Sequence, residues 1–350
     1  MKRGAVRIEV AQGLERAEKA IARRRPPEFV HVGHEGLTEP NWNLMTAARN
    51  HGVAREILDL LTNAGYYIYR VEDSTTELVH HDAVGKLWPW VVDGTFEITD
   101  DNIVHTFEPA KGSETTRLLV IFSPMPDGVF ASSINRHFPR KFETIQKYIP
   151  TDTGVLRIAD LGGVKGAFYL DTTYLPGNAD RISAFIRRFA ANMAIPEGDL
   201  VMYGASKGGT GAVFHGMRNG WKFVSVDPIV ADEYYEQELA DLHFTTGGIF
   251  PETKEQVFAE LVADFAARTP REPADGSTSV VICSHRSPQF AWIEPILVKP
   301  LADQVAFFDS TNPAIMDHPD VAKFTINLQT MAINALLNDV GFPVGLRQMR

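Results

Sequence analysis

Hydrophobic residues are patterned differently on the two sides of Thr116, and the pattern after this position predicts an α/β fold. Short uninterrupted apolar runs alternate there with stretches whose apolar residues recur at helical spacing. The runs predict strands over 118–122, 154–158, 199–203, 223–227, 279–283 and 304–309, the last in the chain. The helical spacing predicts helices over 179–193, 208–218, 231–242, 252–267, 290–302 and 320–338. Because apolar runs without alternation are typical of strands buried on both faces, we expect a doubly wound, mostly parallel sheet.

The first 114 residues show a mixed pattern, and we predict an N-terminal α+β region over 1–114 ahead of an α/β domain over 115–350. Helical spacing predicts helices over 5–24 and 41–64, and alternation predicts a strand over 66–71. Short strand patterns follow over 77–109, with apolar residues at Trp88, Trp90, Val91, Val92 and Phe96 and then over 103–107. This region contains no clear catalytic motif.

Composition and charge exclude several classes of protein. The chain has 350 residues, enough for a large core, and its net charge of −10 gives no basis for a nucleic-acid surface. The single cysteine, Cys283, excludes an intrachain disulfide and fits a reducing compartment. No apolar stretch approaches the ~20 residues of a membrane span. Residues 1–10 lack the apolar centre of a signal peptide. We therefore expect a soluble, cytoplasmic protein with no membrane span.

The sequence Gly-Ala-Ser-Lys-Gly-Gly over 204–209 carries the strongest chemical signal. It joins the predicted strand 199–203 to a predicted helix of small and apolar residues. This arrangement fits the nucleophile elbow of an α/β hydrolase, in which a serine, here Ser206, is held on a tight turn. Glycines at 204 and 208 avoid collisions across that turn. The backbone N–H of Lys207, at the start of the helix, is a candidate oxyanion donor.

A serine hydroxyl needs a base, and His318 is the histidine in the expected place. In α/β hydrolases the chain order is serine, acid, histidine, and the histidine lies in the loop after the last strand. His318 follows the predicted strand 304–309 and precedes the final helix. The other histidines after the elbow, His215, His243 and His285, lie in less suitable places.

The acid is less well defined by the sequence than the base. Its commonest location is the loop after the penultimate strand, here 284–289, which contains no carboxylate. Asp227 ends the strand that follows the elbow, and we predict that it orients the imidazole. Asp309, Asp317 and Glu294 stay open as alternatives.

Three further assignments complete the predicted site. The second oxyanion donor should come from the loop after strand 118–122, where two prolines have no N–H, so that Ser123 or Met125 is the candidate. Arg136 and Arg140 are candidates for binding a carboxylate or phosphate of the substrate, with a solvated helix start as the alternative. The Lys207 side chain is expected at the rim of the pocket or in solvent.

Two other classes of function stay open. Tyr203 and Lys207 form a Tyr-x-x-x-Lys pattern that resembles the catalytic pair of short-chain dehydrogenases, which bind NAD(P) through a glycine-rich turn. Residues 1–60 contain no such turn. The other alternative is a catalytically inactive hydrolase fold that serves as a binding protein. The sequence shows no His/Cys spacing typical of metal sites and no phosphate-binding loop, so we expect no cofactor and no metal.

Four blocks of sequence carry a family resemblance. They are LRIAD at 156–160, GAFYL at 166–170, YGASKGGTGA at 203–212 and VSVDPI at 224–229. The region 115–340 resembles bacterial capsular-polysaccharide biosynthesis proteins of α/β-hydrolase type, and it is more distantly similar to accessory-secretion-system proteins that O-acetylate glycans. The resemblance implies an esterase or O-acyltransferase that acts on a carbohydrate or secondary metabolite. It also implies an acyl-Ser206 intermediate, with His318 as the base and a small-molecule or glycan acyl substrate.

Overall fold

The computed structural model of the protein describes residues 5–112, 114–126, 133–271, 273 and 275–349. Within these residues the strands are β1 (Ala5–Glu9), β2 (Phe29–Gly33), β3 (Tyr66–Glu72), β4 (Thr75–His80), β5 (Glu97–Ile98), β6 (Val104–Glu108), β7 (Arg117–Phe122), β8 (Thr153–Ile158), β9 (Leu200–Ala205), β10 (Lys222–Val226), β11 (Ser279–Cys283), β12 (Ala306–Ser310) and β13 (Gly345–Met349). The α-helices are α1 (Leu14–Ile21), α2 (Leu44–Ala48), α3 (Gly52–Asn63), α4 (Val84–Leu87), α5 (Pro89–Val92), α6 (Asn178–Asn192), α7 (Lys207–Asn219), α8 (Glu233–Leu239), α9 (Lys254–Arg268), α10 (Phe290–Ile293), α11 (His318–Phe324) and α12 (Ile326–Leu337).

The larger of the two sheets has nine strands in the order β13-β12-β11-β10-β9-β7-β8-β6-β5 over the described residues. The strands from β13 to β8 run parallel, whereas β6 and β5 extend one edge by antiparallel pairing. Parallel strands bring their carboxyl ends to the same edge of a sheet, where ligands bind in α/β folds. The elbow strand β9 lies between β7 and β10, near the middle of that edge.

Helices cover both faces of the larger sheet, and this explains its uninterrupted apolar runs. Along β7, Leu118 and Val120 belong to one core cluster and Leu119 and Ile121 belong to another. The first cluster also contains residues of α6, α7 and α9, and the second contains residues of α12. Successive side chains of a strand point to opposite faces, so a strand covered on both sides has apolar residues at every position.

The smaller sheet has four strands in the order β1-β2-β4-β3, all from the N-terminal region. One set of its buried residues, which includes Ile8 and Val30, shares a core cluster with α1, α2, α3 and one face of the larger sheet. Phe29, Tyr67 and Val79 belong to a separate cluster. β5 and β6 also precede residue 115, but β6 pairs with β8 and so joins the larger sheet. The N-terminal region therefore contributes to both sheets, and the division at residue 114 stays a prediction.

The structure confirms the six strands predicted after residue 116 and corrects several other elements. Residues 5–9 form a strand because they pair in parallel with β2, which lies outside every predicted element. Residues 89–92 form a helix, where a strand was expected. β13 pairs with β12, so β12 is not the last strand of the chain. β1 and β13 are strands because they pair with β2 and β12, which lie more than 20 residues away in sequence. A local hydrophobic pattern does not show such a partner.

Candidate active site

Ser206 lies on a strained turn between β9 and α7. Its backbone has φ 55° and ψ −124°, a conformation that residues other than glycine rarely adopt. Its N–H donates to the Val226 carbonyl at 2.8 Å, which fixes the turn against β10. A Cβ added to Gly204 would lie 2.0 Å from the Gly208 carbonyl oxygen, and one added to Gly208 would lie 2.3 Å from that of Phe122. Both positions of the elbow therefore require glycine.

Three of the predicted residues lie in one continuous chain of hydrogen bonds. Ser206 Oγ lies 2.7 Å from His318 Nε2, and His318 Nδ1 lies 2.7 Å from Asp227 Oδ2. A carboxylate accepts hydrogen bonds, so the imidazole proton is assigned to Nδ1, and Nε2 is left to accept the serine proton. The side chain of His318 is 14% exposed and that of Asp227 is 2% exposed. The geometry is that of a nucleophile, a base and a residue that orients the base.

His318 is the first residue of α11, in the connection that follows β12. Asp317 caps this helix, and its Oδ1 accepts the His318 N–H at 2.7 Å. The sequence leaves Asp317 open as an alternative for the acid, but its carboxylate contacts the backbone of His318. The cap fixes the position from which the imidazole reaches Ser206.

Asp227 directly follows β10, the strand that pairs with the elbow strand β9. Its N–H donates to the Ile282 carbonyl at 2.8 Å, and its backbone has φ 44°. Its Oδ2 accepts a second hydrogen bond, from Ser287 Oγ at 2.5 Å. Ser287 belongs to the loop 284–289, where the common hydrolase plan places the acid itself. Sequence reasoning missed Ser287; the one available signal was its position in that loop.

A second imidazole–carboxylate pair lies at the same edge of the sheet. His285 Nδ1 lies 2.9 Å from Asp309 Oδ2, and the His285 N–H donates to Asp309 Oδ1 at 2.8 Å. Asp309, another alternative for the acid, is therefore paired with a different histidine. Glu294, the remaining alternative, lies 3.6 Å from Lys299.

The two predicted oxyanion donors are placed differently. The N–H of Lys207 is the first of α7, and it has no acceptor within the described ranges. The N–H of Ser123 donates to Tyr169 Oη at 2.5 Å, and that hydroxyl donates to the Ile158 carbonyl at 2.8 Å. Ser123 is thus already engaged in a buried hydrogen bond, contrary to its expected role. Met125, the other candidate in the loop, lines the cleft in front of the serine.

The Lys207 side chain lies in the interior, where neither predicted location had put it. It is 0% exposed, and its Nζ lies 2.9 Å from Asp160 Oδ2 and donates to the Lys165 carbonyl at 3.1 Å. Burial lowers the pKa of Lys207, and the neighbouring Asp160 carboxylate opposes that shift. The Asp160 carboxylate also accepts the N–H groups of three consecutive residues, Ala167, Phe168 and Tyr169. This ion pair therefore links α7 to the loop after β8.

Ser206, Asp227 and His318 line a cleft of about 1220 Å³, which we call the Ser206 cleft. Its walls come from the loop after β7, from residues 141–148 and from α11 and α12. Apolar and aromatic side chains dominate the lining, among them Met125, Phe142, Ile145, Tyr148, Tyr203, Tyr235, Ile326 and Met331. Lysines add positive charge at Lys141, Lys165 and Lys323. The volume of the cleft exceeds the ~300–1,000 Å³ that is usual for small-molecule sites, and the largely apolar lining is typical of them.

Arg136 and Arg140, the predicted substrate-binding residues, lie outside the lining of the Ser206 cleft. Arg136 is buried, and burial lowers its pKa to about 10. The Arg140 guanidinium lies 5.8 Å from the ring centroid of Trp90 and 5.6 Å from that of Phe96. Of the cations in residues 136–141, Lys141 is the one that lines the cleft, and the substrate-binding role of Arg136 and Arg140 stays a prediction.

The structure separates Tyr203 from Lys207, the two residues of the dehydrogenase-like pattern. Tyr203 lies on β9, and its hydroxyl donates to Gln329 Oε1 at 2.7 Å. The Lys207 Nζ contacts Asp160 instead. In short-chain dehydrogenases the lysine acts on the tyrosine, and these contacts do not provide that coupling.

Two other features are absent from the described residues. No helix among them is both long and apolar enough to cross a membrane. No cluster of three or more His, Cys, Asp or Glu side chains among them is arranged to hold a metal ion.

Comparisons with known proteins find likenesses in structure only. No protein-family model matches the chain, and no curated protein sequence matches it. A ferulic acid esterase is similar at TM-score 0.44 and 10% identity over 70% of this chain and 96% of its own. An S-formylglutathione hydrolase from Agrobacterium tumefaciens is similar at TM-score 0.46 and 12% identity, over 70% and 94%. The capsule O-acetyltransferase of Neisseria meningitidis serogroup A is similar at TM-score 0.45 and 11% identity, over 69% and 94%. All three TM-scores are below 0.5.

Proposed function

We propose that the protein is a serine-dependent acyl-transfer enzyme that works through an acyl-Ser206 intermediate. The observation that carries the proposal is the hydrogen-bonded chain Ser206–His318–Asp227 on a strained elbow. Each link is 2.7 Å long, and a cleft opens in front of the hydroxyl. An unreactive serine in an ordinary turn needs none of these features.

The chemistry follows from the placement of these groups. As Ser206 Oγ attacks an acyl carbonyl carbon, His318 Nε2 takes the hydroxyl proton, and Asp227 stabilises the resulting imidazolium. The carbonyl oxygen becomes an oxyanion, which the N–H of Lys207 and a second donor from the Met125 loop would hold. Collapse of this intermediate breaks the bond to the leaving group, which takes the proton from His318.

The second half of the reaction regenerates the serine. His318 takes a proton from water or from an acceptor hydroxyl, whose oxygen attacks the acyl-Ser206 carbonyl. The Oγ–acyl bond breaks, and Oγ regains its proton from the imidazolium. With water the product is an acid; with a carbohydrate or secondary-metabolite hydroxyl it is a new ester. The sequence resemblance to glycan O-acetylating proteins supports a hydroxyl acceptor.

Labelling of the intact protein by a fluorophosphonate tests whether Ser206 is activated. The wild type should be labelled at one residue, and Ser206→Ala should abolish the signal. The chain offers a matched histidine control, since His285 forms its own pair with Asp309. His318→Ala should lower the labelling rate by several orders of magnitude, whereas His285→Ala should leave it within about threefold. A folded wild type that is never labelled would contradict the proposal and favour a binding protein.

Matched aspartate variants test which carboxylate is the acid. Asp227→Asn should lower kcat/KM for 4-nitrophenyl acetate by about 10⁴-fold, because an amide favours the wrong imidazole tautomer. Asp309→Asn should change this value by less than about tenfold, because Asp309 contacts His285 and not His318. The reverse order of effects would move the acid to Asp309 and overturn the assignment.

A further inference from the structure

Lys165 is a buried lysine that lines the Ser206 cleft and has no role in the proposed reaction. It is only 3% exposed. In the part of the chain that the structure describes, its Nζ has a single hydrogen-bond partner, the Met125 sulfur at 3.7 Å. A thioether is a weak acceptor, and an ammonium group has three donors to satisfy. Burial of such a group is costly unless an oxygen or an anion comes to meet it.

The other buried lysines of the described residues show what Lys165 lacks. Lys207 lies 2.9 Å from Asp160, and Lys254 lies 2.6 Å from Asp232. No carboxylate among the described residues lies within ion-pair distance of Lys165. Asp241 is the acid whose charge acts on it, but Asp241 pairs with Arg49 at 3.0 Å.

More cations than carboxylates act on the Lys165 ammonium, and this favours the binding of an anion there. The positive charges of Arg136, Arg49 and Lys207 and the negative charge of Asp241 act on its ammonium. Arg49 pairs with Asp241 and Lys207 with Asp160, so none of these carboxylates is left to pair with Lys165. Burial and these cations lower the pKa of Lys165 to about 7. A bound anion would supply the missing partner and restore the charged form of the lysine.

Two contacts tie Lys165 to the segments that face the nucleophile. Its carbonyl oxygen accepts a hydrogen bond from the Nζ of Lys207, the residue that follows Ser206. Its Nζ contacts Met125, in the loop that offers the second candidate oxyanion donor. The ammonium therefore stands in the wall of the same cleft that would receive the acyl substrate.

We infer that Lys165 binds a carboxylate carried by the substrate of Ser206, so that the enzyme prefers esters with an anionic group over neutral ones. This inference rests on the proposed acyl-transfer function, whose substrate class it narrows. The flanking apolar walls would hold the hydrocarbon between the ester and the carboxylate. Lys141 and Lys323 also line the cleft, but both are exposed, so water already satisfies them.

Paired substrates test the preference directly. One series consists of 4-nitrophenyl half-esters of dicarboxylic acids with two to six methylenes, each compared with its methyl-ester counterpart. A second pair, 4-acetoxybenzoate and its methyl ester, carries the charge on the leaving group. In the wild type at least one charged ester should exceed its neutral partner in kcat/KM. Lys165→Met should remove that advantage by about 10- to 100-fold, the strength of a hydrogen bond to a charged group.

Controls separate loss of the anchor from loss of the fold or of the reaction. Lys165→Met should keep the wild-type rate of labelling by a neutral fluorophosphonate and the wild-type kcat/KM for neutral esters, within about threefold. Lys323→Met, which removes an exposed cation from the same cleft, should keep the preference. Lys165→Arg should retain part of it. A wild type that is labelled but shows no charge preference, or a variant that loses charged and neutral esters equally, would overturn the inference and leave the proposed function intact.

The pH dependence of the ratio of the two kcat/KM values gives a readout that a merely structural lysine would not move. A lysine is charged below its pKa, so the advantage of charged esters should be largest below about pH 7 and should fall above it. His318 serves both esters of a pair, so its titration cancels in the ratio. Binding of glutarate to the Ser206→Ala variant, measured by calorimetry with and without Lys165→Met, tests the anion site without any turnover. Equal binding to both proteins would contradict the assignment.

Discussion

The buried pair formed by Lys207 and Asp160 leads to an asymmetric prediction for stability. Asp160→Asn leaves the Lys207 ammonium in the interior with one carbonyl partner, whereas Lys207→Met leaves a carboxylate that still accepts three backbone N–H groups. Breaking a buried ion pair so that one charge stays uncompensated costs about 3–5 kcal/mol. We expect Asp160→Asn to reach that range. Lys207→Met should cost less, about 1–3 kcal/mol, because the Asp160 carboxylate that stays behind keeps its hydrogen bonds from three backbone N–H groups.

Strain in the loop after β8 should lower the stability of the Asp160→Asn variant further. The carboxylate accepts the N–H groups of Phe168 and Tyr169, which have φ of 55° and 62°. Bulky residues with such left-handed backbone angles carry about 1–3 kcal/mol of strain each, and they keep this conformation only where other contacts hold it. Loss of the carboxylate should let this loop relax. The Tyr169 hydroxyl, which now receives the Ser123 N–H, would then shift, and fluorophosphonate labelling of Ser206 should slow as well.

Urea unfolding followed by tryptophan fluorescence measures these free energies. The exposed pair Lys19–Glu15 provides the control, since both side chains are more than two-thirds exposed, at 68% and 79%. Lys19→Met should change the free energy of unfolding by less than about 0.5 kcal/mol. The double variant of Asp160 and Lys207 should cost less than the sum of the single variants, because the two groups are in contact. If Lys207→Met costs more than Asp160→Asn, or if both cost under about 1 kcal/mol, the reasoning from burial is refuted.

Three further outcomes follow from the site and its supports. Ser287→Ala should lower kcat/KM by about tenfold to a hundredfold with little change in KM, because it removes a hydrogen bond to the charged Asp227; an unchanged kcat would count against this role. Gly204→Ala should destabilise the fold by about 3 kcal/mol or more in urea unfolding, because its Cβ would lie 2.0 Å from a backbone oxygen of α7, whereas Gly198→Ala meets open space and should be tolerated. Burial lowers the pKa of His215 to about 3, so between about pH 6.5 and pH 3 the unfolded state binds a proton that the folded state does not. The free energy of unfolding should therefore decrease as the pH is lowered through this window. His215→Gln should reduce the slope of that free energy against pH by up to one proton.

The sequence was most informative where local geometry and chemistry coincide. The turn at 204–209 needs glycine on both sides of Ser206, because backbone atoms approach each other there, and a sequence pattern records such a need directly. The uninterrupted apolar run of β7 likewise reports that both faces of its strand are covered. The position of His318 followed from chain order, even though β12 is followed by one more strand, since β13 comes after the histidine in sequence.

The sequence was least informative about the direction in which a polar side chain points. The sequence predicts the Lys207 side chain at the rim of the cleft or in solvent, yet its ammonium is buried against Asp160. The sequence predicts Ser123 or Met125 as an oxyanion donor, yet the Ser123 N–H donates to Tyr169, 46 residues away in sequence. The only sequence signal for Ser287 is its position in the loop 284–289, and that position does not reveal its bond to Asp227. Each of these partners is chosen by the packing of segments that are distant along the chain, which a one-dimensional pattern does not contain.

The order of strands gives a geometric reason why Asp227 rather than Asp309 contacts His318. Neighbouring strands lie about 4.8 Å apart, so the end of β10 is one spacing from the elbow strand and the end of β12 is three spacings, about 14 Å, away. An imidazole that bonds the serine has its other nitrogen within reach of the nearer carboxylate only. The strand between them, β11, ends in the loop that conventionally supplies the acid and here supplies the hydroxyl of Ser287 to Asp227. Asp227 therefore lies one strand away from the loop where the common hydrolase plan places the acid, and Ser287 of that loop donates to its carboxylate.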